Sequence, residues 1–87
     1  MDRQVTICNK LGLHARPAMQ FVDVANGFKS GIKVYNGDQC VDGKSIMQMM
    51  MLAATEGTPL KIVAEGDDAL GALDALEKLV KAKFGEE

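Results

Sequence analysis

The stretch Gly12-Leu13-His14-Ala15-Arg16-Pro17-Ala18 holds the only histidine of the chain, two positions before an arginine and three before a proline. Imidazole is a nucleophile that ionises near neutral pH. Arg16 is a permanent cation whose planar fork matches phosphate oxygens. Pro17 fixes its own φ and lacks an N–H, so it suits the first turn of a helix and not its interior. Ala18, Phe21, Val22 and Ala25 then repeat at helical spacing, which predicts a helix starting near Ala15. His14 falls at the helix mouth, where free backbone N–H groups and the positive end of the dipole attract anions. A nucleophilic nitrogen beside a phosphate cradle reads as a phosphoryl acceptor. As helix-start grammar alone, the same residues make His14 a cap and Arg16 a solvated charge.

Other chemistries find little support. The sequence has no phosphate-binding P-loop, no carboxylate cluster suited to magnesium and no second histidine. It therefore reads as a carrier that hands a group between enzymes, and not as an enzyme that turns over a small substrate. Cys8 and Cys40 match no metal motif, and free thiols are expected. Neither a metal nor a cofactor is expected. The net charge of −2 leaves no basic footprint for nucleic acid. No apolar run approaches the roughly 20 residues that span a bilayer. Met1-Asp2-Arg3-Gln4 leads straight into a strand pattern, so we expect no leader and a cytoplasmic location.

The elements that would position His14 follow from periodicity. With 87 residues there is room for one domain, residues 1–87. Gln4–Cys8 alternates as a strand with Val5 and Ile7 inward, and that parity turns Cys8 away from the core. Gly27 is a candidate stop for the first helix, with Phe28 folding back onto the core. Ile32–Tyr35 and Gln39–Val41 flank Asn36-Gly37-Asp38, a hairpin signal with two possible registers. A turn at Asn36-Gly37 sets Ile32 opposite Val41, whereas a turn at Gly37-Asp38 sets Val34 there. Ser45 is suited to cap a helix over Ile46–Leu52. Leu60–Ala64 reads as the last strand. After Gly66-Asp67-Asp68, a helix carries Leu70, Leu73, Leu76 and Val80, with Lys78, Lys81 and Lys83 near its end. The order βαββαβα gives an α+β class with helices on one face of a small sheet.

The second helix is apolar nearly all round, which a short helix on a sheet cannot bury. Met49 and Leu52 share one face, while Ile46 and Met50 share another with Met47 beside it. Exposed methionines suit a surface that docks several partners; the alternative is a loosely specified core.

Leu11–Ala18 resembles the active-site motif of the HPr family, the histidine phosphocarriers of the bacterial phosphoenolpyruvate:sugar phosphotransferase system. Gly43-Lys44-Ser45-Ile46-Met47 resembles a second motif of that family at the expected distance. The similarity runs from about Val5 to Leu79. It implies an open-faced sandwich with a four-stranded antiparallel sheet of order 1-4-2-3, three helices on one face, and Cys8 and Cys40 toward opposite edges. It further implies a monomer in which the δ1 nitrogen of His14 takes the phosphoryl group from phosphorylated Enzyme I and Arg16 clamps it. Enzyme II A domains are the implied acceptors. Ala15, Pro17, Ile46, Met47 and Met50 are the implied partner contacts. Ser45 is the implied regulatory site, used where the host carries an HPr kinase/phosphorylase. Three alternatives stay open. These are a nitrogen-branch or dihydroxyacetone-kinase-type paralogue, a non-catalytic HPr-like regulatory module, and a generic α+β interaction domain.

Overall fold

In the computed structural model, which describes residues 1–86, the chain runs β1 (Asp2–Thr6), α1 (Ala15–Asn26), β2 (Gly31–Asn36), β3 (Gln39–Asp42), α2 (Ile46–Met51), β4 (Pro59–Glu65) and α3 (Ala69–Lys81), then a short 3-10 turn at Lys83–Gly85. All strand pairings are antiparallel and the order is β1-β4-β2-β3. Alternation places Val5, Ile32, Val34, Val41, Leu60, Ile62 and Ala64 under the three helices. The opposite face is open, and there Lys61 Nζ lies 5.2 Å from the centre of the Tyr35 ring.

Val34 pairs with Val41 and Asn36 with Gln39, so Gly37-Asp38 makes the hairpin turn. Gly37 takes φ +61°, a conformation in which a side chain is strained. Neither Asn36 nor Asp38 takes a positive φ, so the glycine holds the first central place of the turn, as in a type II′ hairpin. β1 ends earlier than its alternation suggests. Ile7 still exchanges backbone bonds with the 57–58 turn, donating to Thr58 O at 2.9 Å and accepting from Gly57 N at 2.7 Å. Cys8 then leaves the strand geometry. Its thiol sits 3.2 Å from Val80 O, half-buried against α3 instead of facing away.

In α3 the buried stripe runs Ala69, Ala72, Leu73, Leu76 and Val80, and Leu70 is exposed. A stripe begun at Ala69 keeps the i, i+3, i+4 spacing, and Leu70 lies one step off it. Asp68 stands at the helix start yet does not cap it. Its carboxylate accepts instead from the N–H of Lys29 at 2.8 Å, the N–H of Ser30 at 2.9 Å and the Ser30 hydroxyl. These donors hold the Asp68 carboxyl below the usual carboxylate range, the Ser30 hydroxyl contributing most.

Two close approaches orient the helices. Leu13 N–H donates to Ala54 O at 2.9 Å, and Lys44 Nζ donates to Phe28 O at 2.8 Å. The start of α1 therefore lies by the end of α2, and the end of α1 by the start of α2. Gly12 makes the first approach possible, because its φ is +70° and a Cβ there would sit 2.3 Å from Ala54 O. Gly43 serves the second, since a Cβ there would sit 2.6 Å from Ile32 Cγ2. The motif Gly43-Lys44-Ser45 thus has a packing role at each of its positions.

Past α3, Lys83, Phe84 and Gly85 take φ of +58°, +56° and +74°. Left-handed conformation costs an L-residue about 1–2 kcal/mol, so Lys83 and Phe84 together cost about 2–4 kcal/mol. Full burial of a phenylalanine is worth about 1.5–3 kcal/mol, and Phe84 is buried. The two terms are comparable, so the core offsets the turn that sends the chain back toward His14.

Candidate functional site

His14 is the N-cap residue of α1, with extended backbone at φ −80° and ψ −170°. Its carbonyl accepts the first intrahelical bond, from Ala18 N at 3.1 Å. Its imidazole makes no capping bond, and the first turn contains no acidic residue. The N–H groups of Ala15 and Arg16 are therefore left without an intrahelical acceptor, as at any helix start, and Pro17 has none to offer. The helix mouth presents donors and no competing carboxylate of its own.

The ring of His14 turns the other way. Its Nε2 lies 2.8 Å from Glu86 Oε2, and Glu86 Oε1 accepts from Asn9 Nδ2 at 2.9 Å. Asn9 is buried and spends its other amide proton on Gly12 O at 2.8 Å. Both protons of Nδ2 face oxygens, so the amide orientation is set by its partners. Its Oδ1 is buried and finds no partner among the described residues. The side chain of His14 keeps 38 % of its surface accessible. A carboxylate only accepts, so a neutral His14 carries its proton on Nε2 and leaves the lone pair on Nδ1.

Arg16 is exposed and makes no hydrogen bond or ion pair among the described residues, so its fork is open to a ligand. Ala15 is exposed as well. Pro17 is different. The structure places its ring in the core, out of reach of a partner's surface, so its part is to set the first turn.

On α2, Met49 and Leu52 are buried, whereas Ile46, Met50 and Met51 are part-exposed and Met47 is 80 % exposed. Leu11 and Met19 add two exposed apolar side chains, one on each side of His14 in the chain. Neither was singled out by periodicity, although Met19 stands off the buried stripe of α1. Of the exposed apolar residues, Leu11 and Met19 are near His14 in the chain, while Ile46 and Met47 lie toward the other end of α2. Ser45 caps α2, its Oγ accepting from Gln48 N at 3.3 Å. At a rise of about 1.5 Å per residue, Ser45 and Leu52 are about 10 Å apart. Because Ala54, just beyond Leu52, is the residue that touches the His14 loop, Ser45 lies at the far end of α2 from His14.

Asn9 and Glu86 are the members of the site that sequence reasoning missed. Asn9 reads as an ordinary loop residue, and Glu86 as one of two acidic residues beyond the helical pattern. Cys8 and Cys40 are both free. Among the described residues no group of three or more His, Cys, Asp or Glu is arranged to hold a metal.

Comparison with known proteins agrees with this geometry. The family model described as "PTS HPr component phosphorylation site" matches residues 1–82. The chain is 50 % identical to the phosphocarrier protein HPr of Pseudomonas aeruginosa, over 95 % of this chain and 93 % of that one. It is 42 % identical to the phosphocarrier protein NPr of Shewanella violacea, over 99 % and 94 % of the two chains. The crystal structure of an HPr from Thermoanaerobacter tengcongensis superposes with a TM-score of 0.96 at 46 % identity, covering 100 % of this chain and 98 % of that one. A buildable phosphate cradle around a single half-exposed histidine, on this topology and with these relatives, identifies the chain as a member of the HPr family of phosphotransferase-system phosphocarriers.

Proposed function

We propose that His14 Nδ1 accepts the phosphoryl group from phosphorylated Enzyme I, itself charged by phosphoenolpyruvate, and passes it to Enzyme II A domains during sugar uptake. The observation that carries this reading is the single imidazole at the mouth of α1, with Nε2 held by Glu86 at 2.8 Å and Nδ1 left to react. Transfer of this kind depends mainly on positioning and charge stabilisation. The N–H groups of Ala15 and Arg16 and the guanidinium of Arg16 supply both. Ala15, Ile46, Met47 and Met50 form the docking ground, extended by Leu11 and Met19. The domain works as a cytoplasmic monomer in this reading. Among relatives, an NPr stands at 42 % identity, so the branch is a matter for assay. Gly43-Lys44-Ser45-Ile46-Met47 favours the sugar branch.

The test is to mix the pure protein with Enzyme I and labelled phosphoenolpyruvate, using sugar-branch and nitrogen-branch donors in parallel. Label should appear in acid-labile form from the sugar-branch donor and be absent from His14→Ala. Acid-labile label on His14→Ala would overturn the assignment. Faster labelling by the nitrogen-branch donor would move the protein to that branch. Arg16→Ala should slow onward transfer with the fold intact, because an unpaired surface arginine contributes little stability.

Ser45 is the proposed regulatory position, used by an HPr kinase/phosphorylase where one is present. A phosphate there would sit at the N-terminus of α2, beside Ile46 and Met47 and at the far end of the helix from His14. It would act on docking and not on the imidazole itself.

A further inference from the structure

We propose that Met47 and Met50 are modification sites for a two-electron oxidant of the hydroperoxide class, whose sulfoxides withdraw the carrier from Enzyme I while the fold stands. The inference rests on the docking reading above and adds a regulation of that surface by oxidation.

The first ground is access. The chain has six methionines. Met47 is 80 % exposed and Met50 45 % exposed, whereas Met49 between them is fully buried. A dissolved oxidant therefore reaches the first two thioethers in the folded protein and not the third. Met1, Met19 and Met51 are exposed as well. Met1 stands on the sheet, where its carbonyl accepts from Ala64 N–H at 2.8 Å, so it reports the oxidant's reach away from α2.

The second ground is polarity. Between Lys44 and Glu56 the sequence has no charged residue. The face that α2 offers a partner is thus recognised by apolar contact with soft, unbranched side chains. Oxidation turns such a thioether into a polar, chiral sulfoxide. Docking must then strip water from the new oxygen, and a surface shaped for an apolar side chain offers it no donor.

The third ground is that the backbone of α2 is held by other groups. Ser45 Oγ accepts from Gln48 N–H at 3.3 Å, and Gln48 Oε1 accepts from Asp42 N–H at 2.8 Å. Gln39 Nε2 donates to Met51 O at 3.1 Å, and Asn36 Nδ2 donates to Leu52 O at 3.4 Å. Met49 and Leu52 anchor the helix in the core. Oxidising Met47 and Met50 changes what the helix presents and not where it lies. The thiols are elsewhere: Cys8 is half-buried against α3, and Cys40 is exposed on β3, one residue from the inward-facing Val41.

In the step itself the sulfur lone pair attacks one oxygen of hydrogen peroxide and the O–O bond breaks. Sulfur loses two electrons and keeps that oxygen. The proton of the transferred hydroxyl passes to the departing one, which leaves as water. Two thiols of a reductase reverse the change, becoming a disulfide while the oxygen leaves as water.

The experiment treats the protein with hydrogen peroxide, removes the excess with catalase and returns the thiols with dithiothreitol. Peptide mass spectrometry should find one added oxygen on Met47 and on Met50 and none on Met49. Initial rates of phosphorylation by Enzyme I and phosphoenolpyruvate are then measured over a range of carrier concentrations. The KM for the carrier should rise about tenfold, with the limiting rate within about twofold. The thermal midpoint should stay within about 2 °C. The two epimer-specific methionine sulfoxide reductases, with a thiol reductant, should restore the KM. The double variant Met47→Leu, Met50→Leu, compared with its own untreated form, should show no rise after peroxide. An unchanged KM in a parent carrying both sulfoxides, or a rise of the same size in the double variant, would overturn the proposal. So would a midpoint lowered by more than about 5 °C, which would assign the loss to unfolding. Met47→Glu tells this apart from failure of the docking reading. An unaltered KM there refutes docking at α2, whereas a raised KM there beside an unaltered one in the oxidised parent refutes the oxidation proposal alone. A parent that takes no phosphate refutes the phosphoacceptor reading, and calorimetric titration of Enzyme I with the untreated and oxidised proteins then reads docking directly.

Discussion

Replacing Gly12 by alanine tests the contact that seats the His14 loop on the far end of α2. Two costs arise. The residue at φ +70° must hold an L side chain in the left-handed region, at about 1–2 kcal/mol. The new Cβ would stand 2.3 Å from Ala54 O, so the two backbone segments must part by about 1 Å to reach ordinary contact. That movement breaks the 2.9 Å bond from Leu13 N–H to Ala54 O. Stranding such a buried group costs about 1–3 kcal/mol, and the sum is about 2–5 kcal/mol. Gly37 supplies the control. It has φ +61° with nothing within 4 Å of a Cβ, so Gly37→Ala meets the conformational cost alone. Both changes remove the same unfolded-chain freedom, and that term cancels between them. The difference, about 1–3 kcal/mol, isolates the Ala54 contact. At about 4–8 °C per kcal/mol for a domain of this size, a difference of about 2 kcal/mol separates the midpoints by about 8–16 °C. Thermal unfolding of the two variants side by side is the assay, with urea titration as a check. Midpoints within about 2 °C of each other would refute the reasoning.

Met49→Ala should cost about 2–5 kcal/mol in urea unfolding, because Met49 is fully buried, whereas Met47→Glu should leave stability unchanged and weaken binding to Enzyme I in a titration. Ser45→Ala should lose about 1 kcal/mol as a cap is removed; Ser45→Asp should be at least as stable as Ser45→Ala yet accept phosphate more slowly from Enzyme I. Asp68 is held below the usual carboxylate range, chiefly by the Ser30 hydroxyl and then by the Lys29 N–H. Its stabilising effect is complete above the unfolded-state value of about 3.9 and is lost as pH falls through the lower folded value. Unfolding midpoints of the parent should therefore drop across that acid window more steeply than those of Asp68→Asn.

Much of the fold was legible because its signals are local. The stripe Ala18, Phe21, Val22, Ala25 and the proline before it locate α1 with no tertiary information, and Ser45 announces α2 in the same way. Legibility failed where a neighbour decides. Cys8 obeys strand parity only while the strand lasts, and β1 stops at Thr6, two residues before it. Leu70 looks like the first residue of the α3 stripe, yet the smaller Ala69 takes that place. The hairpin had two registers, because a glycine at positive φ suits a turn at Asn36-Gly37 as well as one at Gly37-Asp38, and only the strand pairing shows which forms. At the candidate site, residue type and spacing are what single out His14 and Arg16. They do not single out Glu86, for it reaches His14 across 72 positions. Its approach depends on left-handed turns at Lys83 and Phe84, residues that give no sign of them. Pro17 was readable as a helix starter, and only packing places its ring inside.

The strand order also governs when this molecule can form. β4 lies between β1 and the β2–β3 hairpin, so Asp2 pairs with Val63 and Tyr35 with Lys61. Neither neighbour has a sheet partner on that side until Pro59–Glu65 exists. A chain emerging from the ribosome holds Val5, Ile7, Ile32 and Val34 without their central strand until two-thirds of it has been made. The non-local pairing then closes in one late event, more slowly than the folding of a helical bundle, because contacts between distant segments must form together. During synthesis these unpaired edges are the part of the protein most open to wrong partners, and a chain stopped before residue 59 would keep them so.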